Sequence, residues 1–286
     1  MNPTLLRLDN KLQSIYDNDR RHLEEASDRV YMACERSGVD VDNLLDCIEG
    51  GTAFDFDNFM SQPAGNFFQF VKLELLPAVK YFPDITAGGN GGMASIGRGE
   101  FAIAFLSNCS SKMITEGKGD LKHKDGTYEE VKFNGGKINV DNRRGEDIYK
   151  DFTRIVANHG IQIKGKDFLP FRKKSIESYT QDEINELNGY YLEALTGENK
   201  GPISDQYLKL LFLNRAFNNL FDSVDSLLVM DTDGSYVRIK DSDTGTKYYQ
   251  NLPIDFEIRA WQANPVSMYL FTDNHKNYKK LIESKR

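Results

Sequence analysis

"GKGDLKHKDGTYEEVKF", residues 117–133, decides how the rest of the chain is read. An Asp-Gly pair at 125–126 sits between two stretches that alternate polar and apolar residues, the pattern of a β-hairpin. Side chains alternate along a strand, so Glu130 and Lys132 share one face while Val131 points into the core. Asp120, Glu130 and Lys132 therefore crowd two carboxylates and an ammonium onto one short hairpin. Like charges on neighbouring strands repel, so ordinary strand pairing gives little reason to gather them.

The hairpin register settles whether these groups meet. A two-residue loop, Asp125-Gly126, puts Leu121 opposite Glu130 and Asp120 opposite Val131, with the two carboxylates on opposite faces. A three-residue loop, Lys124-Asp125-Gly126 with Gly126 left-handed, puts Asp120 opposite Glu130. The sequence permits either; a site requires the second, or a bulge near Asp120. Hydrolysis of a phosphodiester with a divalent cation needs hard oxygen ligands and a positive group near the reacting phosphorus. Asp120 and Glu130 can supply the oxygens and Lys132 the ammonium.

Working outward, 99–106 (GEFAIAFL) reads as a helix with Glu100 near its start, able to approach the same point. SKMIT (111–115) reads as a short strand. GEDIYKDFTRIVANHG (145–160) reads as an amphipathic helix closed by Gly160, and IQIKG (161–165) as a further strand. The order is αβββαβ. Upstream, residues 1–90 read as helical, with stops at Ser37-Gly38 and Gly50-Gly51 and a buried helix around 66–82 broken at Pro77. Downstream, 177–286 read as α+β. A helix opens with the Thr180/Glu183 capping box and closes at Gly197, and a second apolar helix follows. SLLVMDTDGSYVRIKD makes a second hairpin, and FEIRAW and SMYLF make strands. The glycine-rich 85–99 marks a boundary or loop, which places the central region at 91–176.

Glu100, Gly119-Asp120 and Glu130-Val131-Lys132 on this element order resemble the PD-(D/E)xK nuclease superfamily. The resemblance covers roughly 94–166 and departs from the usual pattern in having Gly119 where Pro is common. It implies a restriction-endonuclease-like core with a mixed central sheet in an α/β chain, flanked by the helical N-terminal and α+β C-terminal regions. It implies a Mg²⁺- or Mn²⁺-dependent DNA nuclease in which a metal-activated water hydrolyses the phosphodiester. Asp120 and Glu130 then hold the metal, with Val131 between the acid and the lysine counted at the metal. Lys132 positions the water and Glu100 assists. The glycine-flanked segments around the motif give a weaker likeness to phage-encoded members. The alternative is a phage virion or assembly protein that keeps such a fold to bind DNA or protein without cleavage.

Charge allows the DNA expectation. The 286 residues carry a net charge of −7, yet 94–176 hold 16 Lys and Arg against 11 Asp and Glu, while 1–60 hold 6 against 13. Lys118, Lys137, Arg143 and Arg144 are the candidates to hold phosphate backbone around the site. Cys34, Cys47 and Cys109 lack CxxC spacing and read as reduced thiols. With no secretory signal or membrane-spanning run visible, the expected place is the cytoplasm, or a host cytoplasm or virion for a phage protein. A homo-oligomer or an assembly partner is left open. GGNGGMASIGRG lacks the ending of a phosphate-binding loop, DTDGS reads as a β-turn, His123 as an exposed strand residue near the site, and Trp261 as core.

Overall fold

A computed structural model describes residues 3–15, 23–86, 97–108, 110–114, 118–164, 168–252, 254–258 and 263–270, with 278, 281 and 283. The helices are α1 (Pro3–Ile15), α2 (Leu23–Ser37), α3 (Val41–Glu49), α4 (Phe56–Ser61), α5 (Leu76–Val79), α6 (Glu100–Leu106), α7 (Gly145–Asn158), α8 (Lys173–Ile176), α9 (Gln181–Thr196), α10 (Asp205–Phe221) and α11 (Ser242–Tyr249). The strands are β1 (Ala64–Asn66), β2 (Ser111–Met113), β3 (Leu121–His123), β4 (Tyr128–Phe133), β5 (Gly136–Arg144), β6 (Ser226–Met230), β7 (Ser235–Ile239), β8 (Asp255–Glu257) and β9 (Pro265–Leu270). The chain is mixed α/β, and no helix among the described residues is long and apolar enough to cross a membrane.

Two compact units divide the chain. One comprises residues 1–135, 223–241 and 272–286; the other comprises 136–222 and 242–271. The breaks do not coincide with the expected division at 90 and 176. Residues 136–222 are an excursion made between two neighbouring strands of the first unit's sheet.

That sheet has six strands in the order β1-β7-β6-β4-β3-β2. It is mixed: β4 is antiparallel to β3 and parallel to β6. Leu121, Val131, Leu228, Met230 and Tyr236 join one apolar core with α6 and residues of α1–α5. Six successive residues of α6, 101–106, are buried, the mark of a helix enclosed on all sides.

The second unit carries a three-stranded antiparallel sheet, β5-β9-β8. It also carries the helices at 145–158, 181–196 and 205–221. The Thr180/Glu183 capping box forms with both hydrogen bonds present, and Gly197 closes α9 in the left-handed region at φ +80°.

Several expectations change. Residues 161–164 form no strand. The strand parallel to β4 is instead β6, from the first half of the second expected hairpin. The helix at 145–158 forms as expected but belongs to the second unit, beside β5, a strand the sequence reading lacks. Around Pro77 the chain makes short 3₁₀ turns and one helical turn in place of a buried helix. Asn66 caps the first of these turns from its side chain, and Lys72 is extended, which interrupts any longer helix. The Asp231–Gly234 turn forms between β6 and β7. Cys34 and Cys47 are free and buried. Cys109, Trp261 and most of the glycine-rich 85–99 lie outside the described residues.

Candidate active site

The hairpin takes the register that brings the acids together. Leu121 pairs with Glu129 and Lys122 with Tyr128, the register of the three-residue loop, and the regular pairing stops there. The loop is Lys124-Asp125-Gly126, with Gly126 at φ +88°, and His123 N–H donates to the Thr127 carbonyl at 2.9 Å. Asp120 N–H donates to the carbonyl of Glu129, the residue paired with Leu121. Two residues of one strand therefore face one of the other, which is a β-bulge. Gly119 makes the bulge possible. Its φ is +95°, and a Cβ there would lie 2.9 Å from Val224 Cγ1 and 3.0 Å from the Glu129 carbonyl.

The bulge aims the Asp120 carboxylate along β4. Its Oδ2 accepts the Val131 N–H at 2.9 Å and the Lys132 ammonium at 3.4 Å. The same ammonium lies 2.5 Å from Glu130 Oε1 and 3.4 Å from the Val131 carbonyl. Two oxygens held by one nitrogen at those distances lie within about 6 Å of each other, near enough to share a divalent cation. The Val131 side chain is buried in the core, so only its backbone faces this cluster.

Glu100 approaches from the first turn of α6. Its Oε2 accepts the Gly97 N–H at 3.1 Å, and a Cβ on Gly97 would overlap Glu100 Oε1. Gly99, at φ +83°, leaves Met230 Sδ and Val131 Cγ1 where a Cβ would meet them at 3.1 and 3.3 Å, so the start of α6 sits tightly on β4 and β6. Sequence reading placed these two glycines in the boundary segment 85–99 and gave them no part in the site; their signal was their position flanking Arg98 just before an acid-led helix.

The charges do not balance. Burial, then the charge of Asp120, pushes the Glu100 carboxyl up to about 8, against the pull of the Gly97 N–H and Lys132. Glu130 is also raised, first by burial, with Lys132 opposing and Asp120 adding. Burial alone would lower the Lys132 ammonium, but Asp120, Glu130 and Glu100 outweigh it and hold it above the usual lysine range. Two carboxylates thus hold one ammonium, and a third, Glu100, acts on all of them through its charge. Their hard oxygens suit Mg²⁺ or Mn²⁺. As the side chains stand, no three Asp, Glu, His or Cys among the described residues are grouped around one point for a metal ion; Lys132 fills the space between Asp120 and Glu130.

The chain matches no family model, no curated protein and no solved structure.

The inner face of β4 holds a second charged cluster that sequence reading missed. Glu129 is fully buried, and its Oε1 accepts Arg238 Nε at 2.7 Å and the Ser226 hydroxyl at 2.8 Å. Its Oε2 lies 3.5 Å from His123 Nε2, and His123 Nδ1 is 2.7 Å from Ser111 Oγ. Arg238 also donates to the Phe59 carbonyl at 2.7 Å, with its guanidinium 4.4 Å above the Phe59 ring. His123 is therefore buried, not exposed: its position in the alternation matches Leu121, on the core side, and the Phe56 ring packs 5.8 Å away. Burial raises Glu129, but Arg238 and His123 overcome it and hold the carboxyl down at about 2.

Of the four cations expected to hold phosphate, only Lys118 lies in the same unit as the cluster, exposed and 5.6 Å from the Tyr128 ring. Lys137, Arg143 and Arg144 are in the second unit and engaged there. Lys137 pairs with Glu257. Arg143 donates to the Ala194 and Leu195 carbonyls near the end of α9. Arg144 pairs with Asp147 at 2.8 Å and Glu146 at 3.0 Å.

Proposed function

We propose that the chain is a metal-dependent deoxyribonuclease on a nuclease-like core formed by α6 and the β2-β3-β4 strands, with β6 in the place expected for 161–165. The observation that carries the reading is the pairing of Asp120 and Glu130 with the single ammonium of Lys132, with the Glu100 carboxyl acting on the same cluster through its charge. That excess of negative charge is what a divalent cation would relieve, and, together with the larger effect of burial, it raises Glu100 to about 8. Asp120 and Glu130, with the Val131 carbonyl, are the groups that would hold Mg²⁺ or Mn²⁺. When bound, such a cation polarises a phosphoryl oxygen and makes a water more acidic.

The chain's own residues do the rest. The Lys132 ammonium, fixed between two carboxylates, orients the attacking water and offsets charge that gathers on the phosphoryl oxygens. Glu100 keeps its proton into the neutral range and so can give it up when positive charge enters the site. The Val131 N–H holds Asp120 in place from behind, a fixed donor that needs no rearrangement during reaction.

The experiment is cleavage of plasmid and of single-stranded and branched DNA by purified protein with Mg²⁺ or Mn²⁺. Asp120→Ala and Glu130→Ala should each fall to background while remaining folded. Lys132→Ala should slow cleavage by roughly two orders of magnitude or more, the scale of losing one charge-stabilising donor. Absence of metal-dependent cleavage on every substrate would overturn the reading. One observation favours the second reading, a protein that holds DNA or another protein without cutting: Lys132 already bridges Asp120 and Glu130 as an ion pair.

A further inference from the structure

Lys112 on β2 pairs directly with Lys122 on β3. Lys122 in turn pairs with Tyr128 on β4, and alternation along β4 puts Tyr128 on the face of Glu130 and Lys132, opposite Glu129 and Val131. The ammonium groups of Lys118 and Lys122 both lie 5.6 Å from the Tyr128 ring. Two exposed lysines therefore flank one aromatic ring on the sheet face that carries the carboxylate cluster, and a third, Lys112, stands directly across from one of them. None of the three has a carboxylate within ion-pair distance among the described residues.

This arrangement costs stability in the free protein. Directly opposed like charges on antiparallel strands repel. A lysine on an edge strand has an ordinary use in blocking edge-to-edge pairing, and β2 is an edge of its sheet. That use accounts for Lys112. It does not account for Lys122, on an interior strand, nor for Lys118, which precedes β3. The Tyr128 ring lends both ammonium groups a partner that leaves their charge unneutralised. A surface that concentrates positive charge and spends none of it on carboxylates fits a ligand with repeated negative charge.

We infer that Lys112, Lys118 and Lys122 form a track for the phosphate backbone of a DNA strand, leading across the outer face of the β2-β3-β4 sheet to Asp120 and Glu130. The track rests on the nuclease reading for its destination but not for its charge. It also replaces Lys137, Arg143 and Arg144 as the phosphate-holding set, since those are occupied by partners of their own.

The test is binding of a labelled 30-nucleotide DNA, single-stranded and duplex, to the full chain in EDTA, across salt concentration. EDTA removes divalent metal, so binding is read apart from cleavage. Neutralising three phosphate contacts lowers the slope of log affinity against log salt by about 2 to 3. The Lys112→Gln/Lys118→Gln/Lys122→Gln variant should therefore bind on the order of a hundredfold more weakly at 100 mM salt. It should melt no lower than wild type, because a repulsive pair has been removed. A Lys173→Gln/Lys174→Gln/Lys200→Gln control, with the same change in net charge, should keep the wild-type slope. The inference fails if the triple variant keeps the wild-type slope in both DNA arms, if the control loses as much, or if wild type binds neither DNA. Track-dependent binding by a protein that never cuts DNA would sustain the track and overturn the nuclease reading. Cleavage unaffected by the triple variant, with unchanged binding, would do the reverse.

Discussion

Glu129 and Glu130 are neighbours in sequence and point to opposite faces of one strand, and their surroundings treat them in opposite ways. On the inner face, Glu129 meets Arg238, Ser226 and His123, and its carboxyl is held down at about 2. On the outer face, Glu130 shares one ammonium with Asp120 and with Glu100 nearby, and its carboxyl is raised. Both sites bury charge, which is costly unless the charge is paired. The inner site matches its acid with positive charge inside the protein. The outer site leaves acids in excess, which makes sense where the missing positive charge comes from outside.

The largest effect separating the two faces falls on stability. Glu129→Gln leaves Arg238 buried without its counter-charge and should destabilise the fold by about 3–5 kcal/mol, read by denaturant unfolding. Glu130→Gln should cost far less, since it removes one member of an overcrowded set. Equal losses at the two positions would erase the distinction.

Next is the bulge that joins the faces. Gly119→Ala puts a Cβ against Val224 and the Glu129 carbonyl at φ +95°, and should destabilise by about 1–3 kcal/mol. It should also lower cleavage beyond its effect on folding, because Asp120 turns with the bulge. A Gly119→Ala variant as active and stable as wild type would show that the bulge does not aim Asp120.

The third effect is a pair of opposite pH responses in metal-free protein. Glu129 is depressed from the ordinary 4.5 to about 2, so its stabilisation is present above that range and is lost as pH falls from 4.5 towards 2. Glu100 is raised from 4.5 to about 8, so the folded state keeps a proton the unfolded state has lost, and stability declines as pH rises from 4.5 to 8. Glu100→Gln, which cannot ionise, should flatten that decline between pH 5 and pH 8. Thermal unfolding across pH reads both; a wild type whose stability is flat from pH 5 to pH 8 would contradict the outer-face account.

How far the sequence carried these features depended on how local they are. The three-residue loop, the register it sets, and the helix that presents Glu100 are written within about 35 residues of chain, in turn chemistry and alternation. The Thr180/Glu183 cap and the β6-β7 hairpin were legible for the same reason. What was not legible is non-local. The parallel partner of β4 arrives after the whole excursion through 136–222, and no feature of IQIKG or SLLVM says which of them will pair there. β5 finds its partner in β9, more than a hundred residues later. The inner cluster escaped notice because its acid, histidine and arginine stand at positions 129, 123 and 238, with nothing in local spacing to link them.

The central claim is that the outer face takes up a divalent cation. Melting temperature measured against Mg²⁺ and Mn²⁺ concentration, for wild type and Glu130→Gln, tests it most directly. A ligand that binds only the folded chain stabilises it by about 2.7 kcal/mol at a hundred times its dissociation constant. The account predicts that wild type rises with metal in this way and that Glu130→Gln does not. A wild type whose melting temperature ignores both metals, or a rise that survives intact in Glu130→Gln, would contradict it.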